Sequence, residues 1–147
     1  MISSRSDMVR CDRIILIDRS ATVHKEVKAA MLKINPAIDV IAVNSVTEAR
    51  LVLPPPDPAR VGFILLDCNS PSPNAAHDFL RWRKVTEPWP RIPTLLVGEP
   101  TALELAQAYN AGITDAIRKP LSPELWEVLL ARTFEDWCKQ KPNAKGA

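Results

Sequence analysis

Two aspartates and a lysine that could do chemistry each follow a short strand-like segment. Asp67 comes directly after the run 61–66 (VGFILL), Asp18 after the run 13–17 (RIILI), and Lys119 after 115–118 (DAIR). Near-continuous apolar runs of this length are typical of buried parallel strands, and ligands bind beyond the carboxyl ends of such strands. We therefore expect Asp18, Asp67 and Lys119 to converge on one edge of a sheet.

Strand-like and helix-like patterns alternate five times along the chain. The predicted strands are 13–17, 39–43, 61–66, 94–97 and 115–117, and the predicted helices are 22–34, 46–53, 75–85, 102–111 and 123–137. This alternation predicts an α/β fold, a doubly wound parallel sheet with helices on both faces. Ser45 and Ser122 are predicted N-caps, Pro123 opens the last helix, and Gly112 ends the fourth.

The length of 147 residues predicts a single domain. The predicted organisation is an N-terminal tail over 1–10, one domain over 11–138, and a C-terminal tail or linker over 139–147. The segment 54–58 (PPPDP) cannot be helical, because proline lacks the N–H donor and disfavours helix in the preceding residue. We interpret it as a stiff connector, with a PxxP-type ligand as the alternative.

The composition excludes several classes of function. The net charge is +2 without a Lys/Arg run, which argues against direct nucleic-acid or membrane-surface binding. No apolar stretch approaches the roughly 20 residues that a bilayer requires, and no signal peptide is evident, so we predict a cytoplasmic protein. The three cysteines form no CxxC pair and are predicted to be reduced thiols. Without a glycine-rich phosphate loop or a nucleophile elbow, the chain is not predicted to be an enzyme.

The segment from Arg13 to Trp137 resembles the receiver domain of bacterial two-component response regulators. The resemblance rests on the segments 14–23 (IILIDRSATV), 64–71 (ILLDCNSP), 92–97 (IPTLLV) and 108–120 (AYNAGITDAIRKP). It implies a flavodoxin-like (βα)5 domain with strand order 2-1-3-4-5. It also implies a role in two-component or phosphorelay signal transduction, with a histidine kinase or a phosphotransfer protein as partner.

The same resemblance assigns roles to the residues at the sheet edge. Asp67 would accept the phosphoryl group and Lys119 would contact it, while Asp18, Asp67 and the backbone carbonyl of Asn69 would hold Mg²⁺. This agrees with the chemistry, because Mg²⁺ prefers oxygen ligands, and phosphoryl transfer needs cations that neutralise the equatorial oxygens.

The chain departs from the family pattern at three positions. Arg19 replaces the second acid, so that Asp18, Arg19, Asp67 and Lys119 together carry no net charge where the family carries −2. Two unit charges 4 Å apart interact by about 4 kcal/mol at an effective dielectric near 20, so we predict weak or absent Mg²⁺ binding. Gly98 stands where the family has a mobile Thr or Ser, and Ala116 stands where it has a Tyr or Phe that changes rotamer.

Two functions remain open at this point. The first is an atypical receiver domain that acts mainly as a signalling interaction module. The second is a conventional phosphoacceptor, in which the Arg19 guanidinium contacts the phosphoryl oxygens. A purely structural reading is also open, in which Asp18 and Asp67 cap turns and pair with Arg19 or Lys119.

The last helix carries apolar residues on two sides. One side, with Leu121, Leu125, Val128 and Leu129, is predicted to cover the sheet. The other side, with Trp126, Leu130, Phe134 and Trp137, is predicted to be exposed and to bind a second copy of the chain or an output module. The alternative is that the N-terminal tail covers it.

Overall fold

The predicted alternation of strands and helices is present in the computed structural model, which describes residues 12–53, 60–69, 72–86 and 92–139. The strands are β1 (Arg13–Ile17), β2 (Asp39–Val43), β3 (Val61–Asp67), β4 (Thr94–Val97) and β5 (Asp115–Ile117). The helices are α1 (Ala21–Ile34), α2 (Val46–Val52), α3 (Pro73–Thr86), α4 (Ala102–Ala111) and α5 (Pro123–Phe134), and a π-helical turn follows at Glu135–Lys139. The predicted N-terminal tail, the proline-rich segment and nearly all of the predicted C-terminal tail lie outside the described residues.

The strands form one parallel sheet in the order β2-β1-β3-β4-β5, which confirms the predicted fold class and topology. Every residue of the central strand β3 is buried. Ile17 of β1 lies opposite Leu66 of β3, and Asp67 lies opposite Val97 of β4. The strands that carry Asp18 and Asp67 are therefore neighbours and end at the same level.

Helices cover both faces of the sheet. Ile64 and Leu66 pack with α2, α3 and α4 on one face, whereas Phe63 and Leu65 pack with α1 and α5 on the other. The pattern follows from the period of two along a strand, which sends successive side chains to opposite faces. A strand buried on both faces must be apolar throughout, as 61–66 is.

Local sequence signals fix the ends of the helices. The side chains of Ser45 and Ser122 accept backbone N–H groups as predicted, and Thr101 forms a reciprocal capping box with Glu104. Gly112 ends α4 with φ +112°, a left-handed conformation that favours glycine. The three N-caps follow strand ends and lie at the carboxyl edge of the sheet, whereas Gly112 leads into the start of β5 at the opposite edge.

The prediction for the two sides of α5 is wrong. Trp126 and Leu130 are 1% and 0% exposed in the core, and Phe134 and Trp137 pack partly buried against the same cluster. Leu121 and Val128 are instead 93% and 60% exposed, and Leu125 is exposed as well, whereas Leu129 packs partly against the core. Both sides are apolar, and the side with the larger side chains faces inward because burial free energy scales with buried apolar area.

The prediction of reduced thiols fails at one cysteine. Cys138, in the π-helical turn, is buried and disulfide-bonded, whereas Cys68 is free. Cys11 lies outside the described residues. In the described part of the chain, no helix has both the length and the apolar character to cross a membrane.

Candidate functional site

The carboxyl edge of the sheet brings Asp18, Asp67 and Lys119 together. The Lys119 Nζ lies 2.8 Å from Asp18 Oδ2 and 3.2 Å from Asp67 Oδ1. Asp18 follows β1, Asp67 ends β3, and Lys119 follows β5, so three separate strands deliver the three groups to one point. We refer to these three residues as the ion-pair cluster.

The ion-pair cluster is shielded from solvent on its acidic side. Asp18 is 2% and Asp67 is 7% exposed, whereas the Lys119 side chain is 31% exposed. Burial by itself lowers the pKa of Lys119, but the hydrogen bond and charge of Asp18, followed by the charge and hydrogen bond of Asp67, raise the pKa above its ordinary value. Lys119 is therefore protonated at neutral pH, and its positive charge partly neutralises the two buried carboxylates.

Asp18 is also held by its own turn. Its Oδ1 accepts the backbone N–H of Ser20 at 2.8 Å, and Ser20 in turn caps α1. The ring Nε2 of His24 lies 2.5 Å from the Asp18 backbone carbonyl and can donate to it. One carboxylate oxygen thus serves the β1–α1 turn while the other meets Lys119, so the structural reading of Asp18 as a turn-capping, ion-paired residue has direct support.

A cavity of about 510 Å³ opens over the ion-pair cluster. Arg19 and Asn69 line it together with the three cluster residues, as do two acids that the sequence analysis missed, Glu99 and Glu104. With four acids and two bases, the wall as a whole has a formal charge of −2. The position of Glu99, directly after β4 and Gly98, was the signal that could have revealed it.

The two additional acids already have partners. Glu99 lies 3.6 Å from the Arg118 guanidinium in an exposed ion pair, and Glu104 accepts the Thr101 backbone N–H in the capping box. Their contribution at the ion-pair cluster is further reduced by solvent, which screens exposed charges. The charge balance near Asp67 is therefore set mainly by Asp18 and Lys119, because solvent also screens the exposed Arg19.

The side chains at this edge that could hold a cation are the two carboxylates of Asp18 and Asp67. In the described part of the chain, no group of three or more acidic, histidine or cysteine side chains is placed to hold a metal ion. Mg²⁺ requires near-octahedral oxygen coordination, and here two carboxylates are bridged by an ammonium group. The predicted ligands Asp18 and Asp67 are brought together, and Asn69 lies in the exposed turn after β3.

Positions 98 and 116, where the sequence departs from the receiver pattern, lie at β4 and β5 of the sheet. Gly98 follows β4 with φ +138°, and Ala116 lies partly buried in β5, where it packs against the core. Neither can move a hydroxyl or change a side-chain rotamer. Tyr109, the nearest aromatic along the chain, is exposed on α4, and its hydroxyl lies 3.3 Å from Asp115 Oδ1.

Solved structures of response regulators share this architecture. The phosphorylated cyanobacterial phytochrome response regulator RcpA has a TM-score of 0.72 at 19% identity, over 86% of this chain and 93% of its own. The Mn²⁺-bound form of response regulator Rcp1 has a TM-score of 0.72 at 16% identity, over 87% and 95% of the two chains. A signal receiver domain of two-component signal transduction (histidine kinase) from Clostridium thermocellum has a TM-score of 0.70 at 16% identity, over 84% and 98%.

No protein-family model and no curated protein sequence matches the chain. Identities of 16–19% establish similarity of fold. The chain thus has the fold of response regulator receiver domains, with an ion-pair cluster at the edge where ligands bind in open α/β sheets.

Proposed function

We propose that the protein is a receiver domain of a two-component or phosphorelay system that acts mainly as a signalling interaction module. The observation that carries this proposal is Arg19, which stands in place of the family's second acid and lines the cavity over the ion-pair cluster, where Lys119 already lies within 3.2 Å of both Asp18 and Asp67. In this arrangement the two carboxylates are already neutralised in part by a cation that belongs to the protein.

The electrostatic argument concerns the free energy of bringing a divalent cation to Asp67. Lys119 and Arg19 both border the cavity and both repel such a cation, while the second acid of the family pattern is absent. A charge pair at about 4 Å is worth about 4 kcal/mol at an effective dielectric near 20. Solvent screens the exposed Arg19 below that value, so exchanging an acid for a base there disfavours Mg²⁺ by a part of this amount. Weak Mg²⁺ binding in turn slows phosphoryl transfer, since the metal neutralises the charge on the transferred group.

The test is acylphosphate formation. The purified protein is incubated with a small phosphodonor and Mg²⁺, and the bound phosphoryl group is measured by intact mass, with Asp67→Asn as the control that cannot be labelled. We expect little labelling of the wild-type protein. Stoichiometric labelling that Asp67→Asn abolishes would overturn the proposal.

The second candidate is a conventional Mg²⁺-dependent phosphoacceptor that a histidine kinase phosphorylates on Asp67. Asp67 favours it, because this carboxylate ends a fully buried strand, contacts Lys119 and faces a cavity of about 510 Å³. The neighbouring structures include one phosphorylated and one Mn²⁺-bound response regulator. In this case Arg19 would bind the phosphoryl oxygens as a guanidinium fork, and Arg19→Ala would reduce labelling.

An interaction module needs a docking surface, and α5 offers a different one from that predicted. Leu125 and Val128 form the exposed apolar side of this helix, and Leu121 is exposed just before it, whereas Trp126 and Leu130 are buried in the core. A homodimer or an output module that uses α5 would contact the exposed side.

We place this signalling role in the cytoplasm, where a histidine kinase or phosphotransfer protein would deliver the phosphoryl group.

A further inference from the structure

A steric relation links Cys68, directly after the predicted phosphoacceptor, to Gly98, directly after β4. If Gly98 carried a Cβ atom, that atom would lie 2.4 Å from Cys68 Sγ, a distance that real Cβ contacts do not show. The Cys68 backbone N–H donates to the Val97 carbonyl at 2.9 Å, which fixes the two loops side by side. The sulfur therefore fills the volume that a side chain at position 98 would need.

The Cys68 side chain, like those of Pro73 and Glu104, borders two cavities. Cys68 lines both the cavity over the ion-pair cluster and a second cavity of about 320 Å³ between α3 and α4. The floor of the second cavity is apolar and includes Leu80 and Leu96.

We propose that Cys68 is the positioning residue that replaces the missing side chain at position 98, so that positions 68 and 98 are sterically coupled. The part of the cavity wall where the resemblance places a mobile hydroxyl is formed here by the Cys68 thiol. The importance of this wall for signalling rests on the proposed function, whereas the coupling itself is a property of the fold. Its consequence is that a hydroxyl at position 98 cannot be restored by one substitution.

Gly98 has a second reason to be glycine, and the test must separate the two. Its φ of +138° strains any side chain, whatever space is available. Gly112 is a matched control, because its φ is +112° and a Cβ there would meet no atom within 4 Å. Gly98→Ala and Gly112→Ala thus share backbone strain, and only the first should clash with Cys68.

The experiment is a double-mutant cycle on unfolding by urea. We expect Gly98→Ala to lower the folding equilibrium constant about tenfold more in the Cys68 background than in the Cys68→Ala background, since overpacking is relieved in the latter. Gly112→Ala should cost the same in both backgrounds. Equal costs of Gly98→Ala in the two backgrounds would overturn the proposal, as would failure of Gly98→Ala to fold in both.

The second readout is the reactivity of the Cys68 thiol under non-reducing conditions. Burial raises the pKa of this thiol above its ordinary value; a hydrogen bond with the Glu99 backbone partly opposes this, and the Asp67 charge adds to it, so slow alkylation at pH 8 is expected in the wild-type protein. Gly98→Ala should displace the sulfur and accelerate alkylation, whereas Gly112→Ala should not. An unchanged rate in Gly98→Ala would refute the coupling. Neither readout depends on acylphosphate formation, so this proposal and the proposed function fail independently.

Discussion

The two parts of the carboxyl edge differ in what they retain. The ion-pair cluster keeps three charged groups from three strands in direct contact, with Lys119 between two buried acids. The part around β4 and β5 has Gly98 and Ala116, which have no side chain able to move. Under the proposed function, binding a charged group and transmitting its presence are therefore separable: the first depends on the ion-pair cluster and Arg19, and the second depends on positions 98 and 116.

The largest expected effect concerns Arg19 at the edge of the ion-pair cluster. Arg19→Asp exchanges a positive for a negative charge on the cavity wall, and we expect Mg²⁺ to bind on the order of a hundredfold more tightly. Lys28→Asp makes the same change of charge on an exposed position further along α1 and should have little effect. Titration calorimetry measures both. Equal Mg²⁺ affinity of the wild-type protein and Arg19→Asp would remove the electrostatic basis of the proposed function.

The second-largest expected effect is the loss of stability when the ion-pair cluster is broken. Lys119→Met leaves two buried carboxylates without their cation, and we expect the free energy of unfolding to fall by about 2–3 kcal/mol, less than for a fully buried pair because Lys119 is 31% exposed. Lys33→Met breaks an exposed ion pair with Glu127 of similar length and is the control. Urea denaturation is measured for both variants. Equal unfolding midpoints for Lys119→Met and Lys33→Met would show that the cluster contributes no stability beyond that of an exposed ion pair.

The pH dependence of this contribution follows from the raised pKa of Lys119. A lysine with a higher pKa in the folded than in the unfolded state stabilises the fold fully below its unfolded value of 10.5, and the contribution is lost as the pH rises through the folded value. The difference in stability between the wild-type protein and Lys119→Met should therefore persist up to pH 9 on the alkaline side and shrink only above pH 10.5. A difference that already declines between pH 7 and pH 9 would contradict the raised pKa.

The sequence predicted the fold well because the signals involved are local. Apolar runs placed four strands at their observed bounds, and β3 extends one residue further, to Asp67, because the register with Val97 continues. Serine caps and a left-handed glycine placed helix ends for the same reason. Because parallel strands end at one edge of the sheet, the predicted strands also placed Asp18, Asp67 and Lys119 together.

The failures share a different physical cause, since each depends on competition between distant groups. The period of α5 identifies two apolar sides but not which one the sheet accepts, and the burial of Trp126 decided that. Glu99 and Glu104 reach the cavity through the geometry of the β4–α4 connection, and the contact of Cys68 with position 98 depends on strands that are adjacent only in space. A short stretch of sequence does not determine how close these residues lie to one another in the folded chain.

The smallest expected effect is the response of the β4 and β5 part of the edge to a phosphoryl analogue. Beryllofluoride with Mg²⁺, added to the Arg19→Asp variant so that the metal binds, should shift amide signals around Asp18 and Asp67. Signals of Thr94–Val97 and Asp115–Ile117 should move little, because Gly98 has no hydroxyl to draw in and Ala116 has no rotamer to change. Two-dimensional amide NMR measures both regions in one titration, and the shifts near Asp67 report that the analogue has bound. Large shifts over Tyr109 to Ala116 would contradict this expectation, since the effect of the analogue would then reach β5 through backbone movement alone.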